Sequence, residues 1–165
     1  MTRIGVIRDT HGWLDPAVFR HFETCDEIWH AGDVGDVAIL DELAAFKKLR
    51  AVYGNIDGSQ VRKIAPEHQQ FSCEDVKVWI THIAGRPGTY NSQVKQGLLS
   101  FQPHILVCGH SHILLVQMDK VHHCLHLNPG AAGKHGFHQM RTLLRFEIDG
   151  KSIQNMQVVE LGKRA

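Results

Sequence analysis

Apolar positions follow two regimes along the chain. Through the first part, short apolar runs alternate with stripes at helical spacing. Ile4 to Ile7 predicts a strand, a helix begins at Asp15-Pro16, Glu27 to His30 predicts a strand, a helix surrounds Leu40, and Leu49 to Tyr53 predicts a third strand. That order reads as βαβαβ with a mostly parallel sheet. Asp15 stands as N-cap with Pro16 at the first helical position, and Val18 and Phe22 share a face one turn apart. Ile39, Leu43 and Phe46 repeat the spacing. Past a less regular stretch containing Pro66, Val76 to Ile80 alternates like a strand. Val94, Leu98 and Phe101 then form one helical stripe, and Ile105 to Cys108 predicts another strand.

From residue 113 onward the pattern becomes consecutive strands: Ile113 to Met118, Leu125 to Leu127, Leu143 to Ile148 and Ile153 to Leu161, with Asp149-Gly150 as a hairpin turn. These predict a second, largely antiparallel sheet. No repeat, low-complexity tract or long linker divides the chain, so residues 1–165 read as a single domain. Two sheets packed face to face, with helices covering the first half's sheet, would bury both apolar faces. An open α/β fold with a β tail satisfies the periodicity equally.

Composition narrows the partners. With 21% charged residues and a formal net charge of +1, there is no bulk basic field, and charge does not point to nucleic acid. Cys25, Cys73, Cys108 and Cys124 are widely spaced in or beside apolar segments, which suits reduced thiols. No apolar run has the roughly 18 residues that a membrane span needs. The expectation is a soluble, cytoplasmic protein; oligomeric state is not legible. Thirteen histidines are the unusual feature, because imidazole is the commonest metal ligand.

Their positions carry the chemistry. Asp9-Thr10-His11-Gly12 follows the first predicted strand, Gly32-Asp33 the second, and Gly54-Asn55-Ile56-Asp57 the third; Thr81-His82 and Gly109-His110-Ser111-His112 follow later ones. The carboxyl edge of a parallel sheet is where α/β proteins gather ligands. Neutral imidazoles and hard oxygens without thiolate suit Mn, Fe, Zn or Ni better than Ca. On extended chain His110 and His112 would lie on one side about 6.6 Å apart, able to serve separate ions. No serine-hydrolase elbow or P-loop is present. His21, His30, His68 and His104 read as surface or element-boundary residues. His122, His123 and His126 cluster on one segment, where His122 and His126 would share a strand face; an adventitious metal patch is the alternative to a surface role.

The ordered motifs from residue 9 to 112, extended by Asn128-Pro129-Gly130, resemble the calcineurin-like metallophosphoesterases, whose blocks read DxH, GD, GN, H and GHxH. The resemblance implies a four-layer α/β/β/α sandwich and two divalent metal ions, with manganese favoured and nickel, iron or zinc as alternatives. It assigns Asp9, His11, Asp33 and His112 to one ion and Asp33, Asn55, His82 and His110 to the other, Asp33 bridging. The activity implied is hydrolysis of a phosphate ester by in-line attack of a bridging hydroxide. Asp33, Asn55 and His11 would be its catalytic residues.

The sequence departs from the family pattern in three places. Ile56 stands where many members carry a histidine that assists the leaving group, and members lacking it tend towards phosphodiesterase activity, which is the reading adopted. Arg8 replaces a common serine; on a continued strand it would point away from Asp9, towards a helix end or another carboxylate, and its alternative role is to tune the site's charge. Ile83-Ala84 replace a common Gly-His. Arg86, Lys134 and His135, in glycine-rich loops, are candidate substrate contacts, and Asp57 either orients His11 or caps a loop. A phosphomonoesterase is the alternative activity. A non-catalytic scaffold, like the retromer subunit that shares the fold, is the alternative class.

Overall fold

The computed structural model describes residues 1–164. In chain order these form β1 (Thr2–Ile7), α1 (Ala17–His21), β2 (Glu27–His30), α2 (Val37–Phe46), β3 (Lys48–Ala51), α3 (Ser59–Ile64), β4 (His68–Cys73) and β5 (Val76–Thr81). They continue as α4 (Ser92–Ser100), β6 (Ile105–Val107), β7 (Leu115–Asp119), β8 (Cys124–Asn128), β9 (Met140–Asp149) and β10 (Ser152–Lys163). Two five-stranded sheets result, ordered β10-β9-β1-β2-β3 and β4-β5-β6-β8-β7. Each has three parallel strands, β1-β2-β3 or β5-β6-β8, bordered by antiparallel ones, so both are mixed.

Alternation along the strands explains the layers. Ile4 and Val6 point from β1 into the space between the sheets, where they meet Trp29, Val78, Ile80, Ile105, Val107, Leu127, Leu144 and Phe146, all buried. Ile7 faces the other way, against Val18 and Phe22 near α1 and Leu40 and Leu43 of α2. Gly5 lies under the Phe22 ring, where a Cβ would stand 2.5 Å from ring carbons. On the far side of the second sheet, Val94 and Leu98 of α4 cover Trp79 and Leu106. The result is the expected helix/sheet/sheet/helix sandwich. Trp29, fully buried and edge-on to both Phe71 and Phe146, anchors its centre; truncation to alanine should cost about 3–5 kcal/mol.

Strand pairing corrects the sequence reading. The strands beyond residue 113 do not make a sheet of their own: β8 pairs parallel to β6 and β7 caps it, while β9 joins β1 and β10 caps that. Periodicity identifies a strand and its buried face but carries no signal for its partner. α3 and β4 were missed because α3 buries only Val61 and β4 is largely polar. α1 begins at Ala17 with Pro16 at the N-cap position, one residue later than expected, although the Asp15 carboxylate still accepts from the backbone N–H of Ala17 at 2.9 Å.

Candidate metal centre

Parallel strands from both sheets end at a common edge, and the chain turns sharply there. Asp9, His11, Asp33, His110 and His112 adopt left-handed backbone, with φ of 52°, 48°, 53°, 73° and 59°. Such conformations are disfavoured for residues with a Cβ and gather at functional sites. They persist because neighbouring loops bind one another: Asp9 N–H donates to the Gly32 carbonyl and His11 N–H to that of Asp33, both at 3.0 Å. The buried Asp57 carboxylate accepts from the N–H groups of Val34, Gly35 and Gly54 at 2.8–3.0 Å, tying the loop after β2 to that after β3. Its role is therefore loop clasp, the second of the two sequence readings. Gly54 is required because a Cβ there would overlap Asp33.

The predicted ligands converge. Asp33 Oδ2 lies 3.5 Å from His11 Nε2 and 3.2 Å from His82 Nε2, between the two imidazoles. Asn55 Oδ1 stands 3.0 Å from His82 Nε2 and 3.1 Å from His110 Nδ1, and His112 Nε2 is 3.1 Å from Asp9 Oδ2. His82 Nδ1–H donates to the Ala31 carbonyl at 2.8 Å, which turns a bare Nε2 towards Asp33. Donor atoms of Asp9, His11 and His112 fall within 4.8 Å of one another, as do those of Asp9, Asp33 and His82. Asp9 Oδ1 and His11 Nε2 are buried with no hydrogen-bond partner. Unsatisfied buried acceptors of this kind are costly, and a divalent cation would satisfy them. The donor set therefore fits the metal chemistry that the sequence implies. His110 and His112 reach opposite ends of the cluster by left-handed turns, not by the extended spacing expected of them.

Charge in the cluster is uneven. Burial raises the Asp9 pKa above the ordinary carboxylate range, opposed by Arg8. At Asp33 burial acts the same way, but hydrogen bonding and charge from His82 outweigh it and the pKa falls. His82 is raised in turn, because Asp33 overcomes its burial. Burial lowers His11, and burial with Arg8 pushes His112 down to about 4.

Two neighbours overturn sequence expectations. Arg8 does not point away from Asp9: the strand pleat ends at Ile7, Asp9 turns left-handed, and the two side chains form an ion pair with both groups wholly buried. His30 does stand at an element boundary, as the last residue of β2, but it is fully buried and not on the surface, accepting from the Gly32 N–H at Nδ1 (3.2 Å) and lying 3.1 Å from the Thr10 hydroxyl at Nε2. Burial pushes its pKa down to about 4.

A cleft of about 580 Å³ opens over the cluster, lined by His11, Asp33, Asn55, His110 and His112 and rimmed by Ile56, Ile113 and Phe137. His135 lines it, with its ring 4.8 Å from that of His11, but Arg86 and Lys134 do not; Lys134 sits over the Trp13 ring at 4.1 Å. His138 also lines it and was missed, having no motif to mark it. Ile83 and Ala84, the third departure, leave His82 in place.

The model of the calcineurin-like phosphoesterase superfamily domain matches residues 2–151. A probable metallophosphoesterase of Methanocaldococcus jannaschii is 34% identical over 135 residues, 78% of this chain and 67% of the relative. Among solved structures, a novel archaeal phosphodiesterase superposes with a TM-score of 0.72 at 21% identity, covering 95% of this chain and 99% of that one. Wild-type Vps29 complexed with zinc, from Entamoeba histolytica, superposes with a TM-score of 0.70 at 18% identity, covering 96% and 98%.

Proposed function

The chain belongs to the calcineurin-like phosphoesterase superfamily, and from that premise we propose that it is a dinuclear-metal phosphodiesterase. The observation that carries the reading is the convergence of five strand tips on one cluster in which Asp9 Oδ1 and His11 Nε2 are buried without hydrogen-bond partners. Asp9, His11, Asp33 and His112 would hold one ion, and Asp33, Asn55, His82 and His110 the other. Two such ions supply Lewis acidity, which makes a nucleophile of water at neutral pH and offsets charge developing on phosphate.

The chain's own groups do the rest. The carbonyl of Ala31 holds the tautomer of His82, and the Ile56 N–H fixes the Asp33 carboxylate at 3.2 Å. The cleft is lined by no lysine or arginine. A diester carries one negative charge and a monoester up to two, so the second charge would find no cationic side chain there. Ile56, facing the cleft, offers no proton to a leaving alkoxide, which favours esters of acidic alcohols. The apolar rim of Ile56, Ile113 and Phe137 suits an aromatic or apolar ester group, a nucleobase included. Four buried, unpaired thiols fit the reducing cytoplasm proposed for it.

Chelation followed by restoration with Mn, Ni, Fe, Zn or Mg, assayed on paired chromogenic mono- and diesters, tests the reading. Metal-dependent turnover dominated by the diester, strongest with manganese, is expected. Dominant monoester turnover would reverse the preference, and tight metal binding without hydrolysis of either would favour the scaffold.

A further inference from the structure

Arg8 is wholly buried, yet it is no inert filler of the core. Its Nη1 pairs with Asp9 Oδ2, the same oxygen that faces His112; its Nε donates to Asn128 Oδ1 at 2.7 Å; its Nη2 has no partner. Asn128 Oδ1 also accepts from Gly130 N–H, and Asn128 Nδ2 donates to the Ser111 hydroxyl between His110 and His112. The guanidinium is held in place by a turn and by the crowded approach of Gly109, where a Cβ would stand 2.6 Å from Arg8 Cδ. A fixed positive charge is thus paired with one predicted ligand, Asp9, and among the described residues forms an ion pair with no other.

We propose that Arg8 is an internal cation that competes with metal at the Asp9, His11 and His112 position, selectively loosening that ion. The inference rests on the metal-binding reading above. The two carboxylates facing that position carry −2, and Arg8 reduces the total to −1; the Asn55, His82 and His110 position draws its carboxylate from Asp33, with which Arg8 forms no direct ion pair. Without metal, the same guanidinium neutralises a carboxylate that would otherwise be buried alone, so Asp9 stays oriented. Over several ångströms a unit charge changes the affinity for a divalent ion by at least about tenfold, even with strong screening.

Manganese titration of the metal-free protein by calorimetry, with metal content after gel filtration, reads the effect without reference to turnover. Arg8→Met should tighten one binding step about tenfold or more and leave the other nearly unchanged. Arg8→Gln, which can still donate to Asn128, should do the same, and Arg8→Lys should bind like the parent. Adding Asp9→Asn to Arg8→Met should abolish the tightened step, placing it at Asp9. Unchanged affinities in both neutral variants, or equal changes in both steps, would overturn the proposal. Failure of both neutral variants to fold would overturn it too, since the guanidinium's role would then be bracing. Absence of any manganese binding by the parent would instead sink the two-metal reading itself.

Discussion

Two regions of the molecule gather imidazoles, and they are finished in opposite ways. Under α4, His126 Nδ1 lies 3.1 Å from the Tyr90 hydroxyl and Nε2 lies 3.4 Å from Cys108 Sγ, so both ring nitrogens are met. Nearby, His122 is held by Asp119 at 2.8 Å and His123 is exposed; the three histidines of that segment do not share a metal-sized cluster, and His122 precedes β8 instead of sharing its face. At the strand tips, by contrast, Asp9 Oδ1 and His11 Nε2 go unmet on a left-handed backbone. Burial of a polar side chain therefore says little by itself. What separates a packing histidine from one with chemistry left to do is whether its last lone pair already has a partner.

The largest effect should come from the unmet side. Asp33→Asn should remove metal from both positions and lower hydrolysis by more than about 10²-fold, with the thermal midpoint near that of the parent. A variant that kept full activity would erase the contrast. The second test concerns buried rings whose two nitrogens are both met, one in each region, at low pH in the metal-free protein. Burial pushes His126 and His30 down to about 4, below the ordinary 6.5, so between those values the unfolded chain binds protons that the folded chain refuses. Stability should then fall as pH drops from about 6.5 towards 4, by on the order of 3 kcal/mol per group. His82 works the other way: its raised pKa adds stability below about 6.5 that is lost as pH climbs through its folded value. Urea unfolding at pH 7 and pH 5 measures the balance; a steeper midpoint loss in the parent than in His126→Leu is expected, and identical slopes would mean that the buried ring accepts its proton.

Smaller effects sharpen the same line. Ile56 is 47% exposed and already faces the cleft. Ile56→His should raise turnover of poor leaving groups about tenfold or more, while nitrophenyl esters gain little; equal gains on both would refute the missing-acid account. Tyr90→Phe, which takes the hydroxyl from His126, should cost about 1 kcal/mol of stability and leave hydrolysis untouched. A loss of activity there would tie the packed cluster to the chemistry.

The candidate site was legible because its chemistry repeats: a carboxylate, amide or imidazole after each of several strand-like runs marks an edge even before the sheet is known. Asp9, Asp33, Asn55 and His82 stand out by that rule, and the family resemblance supplied their assignment as ligands. Arg8 was misread because the rule assumed a pleat continuing past Ile7, and a single left-handed residue cancels it. His30 and His138 carry no local signal; one is recruited by Thr10 and Gly32, the other reaches the cleft from a loop between β8 and β9. Arg86 looked like a phosphate contact because it is cationic and near His82 in sequence, but Asn91 N–H returns to the Ala84 carbonyl and Arg86 is left exposed outside the cleft. Sheet membership of the late strands was illegible for a related reason, since alternation fixes a face and not a neighbour.

The pairing of β9 with β1 governs when this cluster can first exist during synthesis. Val6 registers with Leu144, and the Arg8 and Asp9 carbonyls are met by the N–H groups of Ala132 and Gly133. On the ribosome the first loop must therefore wait, open and incompletely braced, until residues past 144 clear the exit tunnel. Contacts so distant in sequence slow folding, and cations captured earlier would meet only a partial cage.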